Sequence, residues 1–198
     1  MPLLPMIFPD VPLHAVQLLW LNLVTDSLPA LALGVEPVEE TVMDRPPRGK
    51  EEALFSKAFS LRLAWQGAMV GGLTLAAYGL GWYLTGDYSV ANTMAFAALT
   101  LSQLFHAFDV RSEETSLFRL GFFSNGAMNK AFLVGLSLQL AALLLPPLQG
   151  AFGVVPLDPV CWLALLALAV TPLVVCEGEK AVRRRKRKVE EQKETVSV

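Results

Sequence analysis

Long apolar runs separated by short charged stretches constrain this chain more than any other feature. The runs cover about 13–35, 58–85, 90–108, 126–145 and 157–176, and each reaches the ~20 residues that a helix needs to cross a bilayer. With 54% hydrophobic residues, 17% charged and a mean hydropathy of +0.47, the 198-residue chain is too apolar for an ordinary soluble domain. The fold class expected is an all-α, polytopic membrane helix bundle of five transmembrane helices. The second run carries Gly67, Gly71, Gly72, Gly79 and Gly81, a density that predicts close helix packing. Cys161 and Cys176 lie in one apolar run, about 22 Å apart on a helix, beyond disulfide reach, and read as buried thiols.

The stretches between the runs set the orientation. Residues 1–12 form a proline-rich lead-in with no secretory signal pattern. The segments 36–57 and 109–125 are polar loops, 148–156 is an uncharged loop, and 177–198 is a tail with the basic run Lys180–Lys188. The polar end of that tail is expected to be disordered. All 16 Lys and Arg fall in the two polar loops, the tail, or helix ends beside them. The positive-inside rule then makes those segments cytoplasmic, the N-terminus extracytoplasmic and the C-terminus cytoplasmic. An outside N-terminus without a signal peptide leads to the expectation of an earlier helix. The basic run suits an anchor at an anionic leaflet. A groove-binding helix would need interleaved large apolar residues, which the run lacks.

One apolar run carries polar chemistry. In Gln17–Pro37, QLLWLNLVTDSLPALALGVEP, the side chains of Asn22, Thr25 and Asp26 recur at helical spacing, so their oxygens converge on one face. Pro29 has no N–H, which frees the carbonyl of Thr25 and predicts an interruption of the helix there. A carboxylate within a membrane span costs roughly 2.5–3.5 kcal/mol on insertion scales and is normally retained for ions or substrates. Such an acid can also cap or snorkel, and Asn and Thr can hold helices together. The proline beside them tips the reading toward a hard cation, which oxygen ligands next to a broken helix suit.

LWLNLVTDSLPALALGVEP at 19–37 with MDRPPR at 43–48 closely resembles P-type cation-transporting ATPases of the calcium-pump type, sarcoplasmic-reticulum-like and including bacterial relatives. The resemblance covers their sixth membrane helix and the cytoplasmic loop after it, and the later runs fit helices seven to ten. LTLSQLFHAFDVRS at 99–112, Asn129 with Lys130, and Glu177 with Lys180 resemble the family more weakly. The resemblance implies that Asn22, Thr25 and Asp26 are cation ligands and that Ca²⁺ is the transported ion. Gln103 stands where two-site calcium pumps carry a glutamate; it offers one neutral oxygen and implies one ion per cycle. Gln103 can equally hydrogen-bond a neighbouring helix, and His106 reads as a packed or interfacial histidine. Asp44, Arg45, Pro46, Pro47 and Arg48 would form the cytoplasmic loop that couples ATP use to the ion site.

Several family parts do not occur in the sequence: the phosphorylated Asp-Lys-Thr-Gly-Thr motif, the Thr-Gly-Glu actuator loop, a Pro-Glu-Gly-Leu helix break and a nucleotide domain. The chain by itself is expected to have no ATPase activity and no catalytic residues. ATP and Mg²⁺ would serve only the complete pump. Calcium takes six to eight oxygens, more than these residues supply, so the site is expected to be incomplete. The expected partners are the lipid membrane and the N-terminal part of a P-type ATPase, with no nucleic acid; in a prokaryote the membrane would be the plasma membrane. The alternative function is a noncatalytic, membrane-embedded regulatory or interaction partner, or an inactive pump fragment.

Overall fold

The computed structural model describes residues 13–36, 57–112, 116–117, 121 and 123–196, with side chains left out at 58 and 186–196. The described elements are helical. In chain order they are α1 (Ala15–Leu21), a π-helical segment (Asn22–Ser27), α2 (Leu28–Leu33), α3 (Lys57–Thr85), α4 (Tyr88–Val110), α5 (Gly126–Leu144), α6 (Pro146–Phe152) and α7 (Pro159–Val196). No strand occurs among the described residues.

Helix α4 is the axis. It packs against α3, α5, α7 and the π segment. Ala91, Ala95, Ala97 and Ala98 are buried around its circumference, and their small side chains let neighbours approach from several sides. Because protein surrounds it, α4 also buries Asn92, Thr93, Thr100, Ser102 and Asp109. That explains a difference from the composition-based expectation. Only Ala15–Leu33, Gly126–Leu144 and Pro159–Arg185 are, among the described residues, long and apolar enough to cross a membrane on length and composition alone. Helices α3 and α4 are long enough, with 29 and 23 residues, but more polar. The outer surface is apolar, with Leu19, Tyr83 and Leu163 among its most exposed residues, as lipid requires.

Polar side chains tie the bundle at both ends. At one end Gln17 is fully buried and its Nε2 donates to Asn92 Oδ1 at 2.8 Å and to the Phe152 carbonyl at 3.0 Å. Its Oε1 accepts from the His14 N–H, so all of its capacity is directed at other elements or the helix start. Trp20 Nε1 donates to Gln139 Oε1 at 3.1 Å, and its ring meets Phe152 edge-on at 4.9 Å. At the opposite end Arg111 forks onto Glu36, with Nη2 at 2.6 Å and Nε at 3.0 Å from its carboxylate, while Asn125 Nδ2 donates to Glu36 Oε2 at 2.6 Å. Lys180, 2% exposed, lies 2.7 Å from Asp109 Oδ1 and donates to the Asp109 carbonyl at 2.8 Å. Glu177 accepts from Ser116 Oγ and from the Leu117 N–H. Asp109 and Arg111, in the segment expected as a polar loop, are both buried, Asp109 against Lys180 and Arg111 against Glu36. Removing one member of such a buried pair typically costs about 3–5 kcal/mol, because the other charge is stranded.

Three local features depart from the sequence reading. The loop expected at 148–156 begins as helix α6: Pro146 and Pro147 open it, where a missing N–H costs nothing, and Gly153 at φ +64° ends it. The tail continues α7 to Val196 in place of a disordered end. Its Lys, Arg and Glu are strong helix formers, and Glu179 pairs with Arg183 one turn on. Of the five glycines in α3, only Gly81 meets a neighbouring helix: a Cβ there would lie 2.8 Å from Ala91 Cα, whereas Gly67, Gly71, Gly72 and Gly79 face open space.

Two measurements follow from this packing. Gly81→Ala must push the α4 backbone away, which overpacking series price at about 1–3 kcal/mol, and a lower melting temperature in detergent reads it. Gly79→Ala, with nothing within 4 Å, is expected to be neutral or stabilising. At the Glu36 clamp, burial alone would raise the carboxyl, but hydrogen bonds from Arg111 and Asn125 and the Arg111 charge together hold it below its ordinary 4.5. A lowered carboxyl contributes stability that is complete above 4.5 and fades as the pH falls through the folded value. Melting curves taken from neutral pH downward should show Glu36→Gln less stable than the parent at neutral pH and converging with it in acid; parallel curves would remove this clamp from the account.

Candidate functional site

The π segment Asn22–Ser27 is where the helix of the first apolar run changes register. Its sequence explains the change. Thr25 Oγ1 lies 2.7 Å from the Leu21 carbonyl, giving that carbonyl a side-chain partner in competition with the backbone ladder. Ser27 Oγ approaches the Asn22 carbonyl at 3.4 Å. Pro29, the second residue of α2, brings no N–H to the carbonyls one turn back. The result is a widened turn ahead of the proline, and helix continues on both sides of it. Such π turns leave carbonyls with poorer partners and are frequent at functional sites.

The site residues divide between two faces of this helix. Thr25 is buried and its Oγ1 lies 2.6 Å from Gln103 Oε1 on α4. Asp26 Oδ1 stands 3.4 Å from the same hydroxyl. One hydroxyl proton therefore serves two short contacts, to Leu21 O and Gln103 Oε1, with a carboxylate oxygen beside them. Oxygens crowded in excess of protons are what a hard cation relieves. Asn22 and Asp26, one turn apart, are exposed on a stripe with Leu19 and Leu23, which are 71% and 61% exposed. The structure thus brings Thr25, Asp26 and Gln103 together, while Asn22 sits on the open edge of the same turn.

Packing holds this geometry. Gly135 on α5 lets that helix close onto α4 beside the π segment, since a Cβ there would lie 2.8 Å from Leu104 Cδ2 and in ordinary contact with Val24 Cγ1 at 3.6 Å. Sequence reading singled out the glycines of α3 and passed over this one, because a lone glycine in a span carries no spacing signal. The loop residues Asp44, Arg45, Pro46, Pro47 and Arg48 lie outside the described residues. One turn beyond Gln103, His106 Nδ1 lies 3.8 Å from Cys176 Sγ and 4.0 Å from Asp109 Oδ2. The histidine was expected as packed or interfacial and Cys176 as a buried thiol; the only signal in sequence for their meeting is the i, i+3 spacing of His106 and Asp109.

Comparison with known proteins places this chain in a family. Residues 10–182 match the family described as "Cation transporting ATPase, C-terminus". "Calcium-transporting ATPase 1" of Bacillus cereus is 38% identical, over 87% of this chain and 21% of its own length. "Calcium-transporting ATPase" of Bacillus subtilis is 36% identical, over 88% of this chain and 20% of its own. "Calcium-transporting ATPase type 2C member 1" of Homo sapiens is 32% identical, over 92% and 20% respectively. The chain therefore spans about one fifth of the length of these relatives, and the part it matches is their C-terminal membrane region. An all-helical fold with an apolar surface, a widened membrane helix carrying clustered oxygens, and this match together place the chain in the cation-transporting ATPase family, as its C-terminal region.

Proposed function

We propose that this chain supplies one side of the intramembrane Ca²⁺ site of a P-type pump, with Asn22, Thr25, Asp26 and Gln103 as its oxygen ligands. The observation that carries the reading is the Thr25–Gln103–Asp26 oxygen cluster at a widened helical turn. Calcium is bound by six to eight oxygens at 2.3–2.6 Å, and neighbouring ligand oxygens in such a shell stand about 3 Å apart, close to the spacings here. Asp26 brings the charge, Asn22 and Thr25 neutral oxygens, and Gln103 one carbonyl. Glutamine in place of a second carboxylate favours one ion per cycle. The open stripe bearing Asn22 and Asp26 is the face on which the remaining pump helices would complete the shell.

In this reading all five long helical runs cross the membrane. The shielded position of α4 accounts for its polarity, and the glycines of α3 for its lower hydropathy. The Arg111–Glu36 and Lys180–Asp109 end is cytoplasmic, the His14 end extracytoplasmic, and the Asp44–Arg48 loop couples the site to an ATP- and Mg²⁺-using part contributed by the rest of the pump.

ATP-dependent ⁴⁵Ca²⁺ uptake into vesicles tests this, with the chain joined to the rest of a pump and with Asp26→Asn and Thr25→Val as variants. Asp26→Asn is expected to abolish uptake, and Thr25→Val to raise the Ca²⁺ concentration for half-maximal uptake by about tenfold, or about 1.4 kcal/mol of binding. Uptake by Asp26→Asn equal to the parent's would remove these residues from the ion path. Gln103→Glu, if the one-ion reading holds, should raise the Ca²⁺ carried per ATP.

A further inference from the structure

A second constellation lies one helical turn from the Ca²⁺ ligands and is made of different chemistry. His106 and Asp109 of α4 and Cys176 of α7 present Nδ1, a carboxylate oxygen and Sγ that all lie within 4.8 Å of one another. Gln66 of α3 borders the group, its Nε2 donating to Cys176 Sγ at 3.6 Å. Asp109 is 1% exposed, and neither carboxylate oxygen, Oδ2 included, has a hydrogen-bond partner. Lys180 holds the other oxygen at 2.7 Å, which turns Oδ2 toward the histidine and the thiol. Gln66, His106 and Asp109 also line a cavity of about 320 Å³, together with Arg62 and Ser112.

We propose that His106, Asp109 and Cys176, with the Gln66 amide hydrogen-bonded to the sulfur and water as the fourth ligand, bind a thiophilic divalent cation of the Zn²⁺ class at the junction of α3, α4 and α7. The donor set is the argument. Imidazole, thiolate and a monodentate carboxylate are zinc's preferred ligands, whereas calcium takes oxygens only. With bonds of about 2.3 Å to sulfur and about 2.0 Å to nitrogen, tetrahedral ligands stand about 3.5 Å apart. The observed 3.8 Å from Sγ to Nδ1 needs little adjustment, and the 4.0 Å from Nδ1 to Oδ2 well under 1 Å. On binding, the Cys176 S–H bond breaks, an S–metal bond forms and the proton leaves to water. A dication with one thiolate and one carboxylate is then neutral, the state a membrane interior tolerates best, and Lys180 keeps its own balance through Glu177. A bound ion would pin α7 to α4 just beyond the transport ligands. This site does not depend on the Ca²⁺ reading and stands if that reading fails.

Cobalt titration of the full chain, purified in detergent and stripped of metal, tests it. One equivalent of Co²⁺ should bring up a thiolate-to-cobalt charge-transfer band in the near ultraviolet together with visible bands of a tetrahedral centre. Zn²⁺ should abolish both, and excess Ca²⁺ should leave them. Cys176→Ser should remove the charge-transfer band, and His106→Ala should weaken Co²⁺ binding at least tenfold. Cys161→Ser, which alters the other buried thiol of α7, should change neither. Absence of the band in the parent chain, with helical circular dichroism and a monodisperse elution profile retained, would mean that the three groups merely pack together. Loss of the band in Cys161→Ser alone would likewise overturn the assignment.

Discussion

A polar group inside a membrane protein has no water to fall back on, and the structure is organised by how each one finds a partner. Gln17 satisfies itself on α4, α6 and the start of its own helix at one end, and Arg111, Glu36 and Asn125 satisfy one another at the other. These pairings set the register in which α4 meets its neighbours. Between them, at mid-helix, Thr25 meets Gln103, and there the supply of protons falls short of the supply of oxygens. The Gln17 and Glu36 groups are closed networks, and the Thr25–Gln103 contact is an open one. A cation site differs from a structural lock in that respect, since its unsatisfied oxygens are reserved for a ligand that comes and goes.

The open network also has a direction. Thr25 and Gln103 are enclosed by this chain, whereas Asn22 and Asp26 lie on an exposed stripe beside strongly exposed leucines. Relatives about five times longer carry the rest of the structure. In the function proposed above, this region builds half of the site and offers half at its edge, so that an ion held between the halves would feel any movement of one against the other.

Much of this was legible because membrane helices write themselves in long apolar runs, and because an acid, an asparagine, a threonine and a proline within one run leave few alternatives. The form of the helix irregularity was not legible. Pro29 signals that something happens near it, but the π turn lies ahead of it, where Thr25 competes for the Leu21 carbonyl. Nor did glycine density find the close approaches. Gly81 and Gly135 matter because of what stands opposite them, and opposition is a tertiary fact. The helical tail and helix α6 were missed for a simpler reason: charge and proline suggested loop, while a proline at a helix start and a Glu–Arg pair one turn apart favour helix. The polarity of α4 goes with its central position among the other helices.

The central claim is that the ion site is divided, with this chain providing only part of the shell. Equilibrium ⁴⁵Ca²⁺ binding to the purified chain, compared with the same residues within a full-length pump, tests it most directly, with Asp26→Asn as control in both. The account predicts no saturable binding by the chain alone, and saturable binding by the full-length pump that Asp26→Asn removes. Saturable, Asp26-dependent binding by the chain alone, at the affinity of the full-length pump, would contradict it.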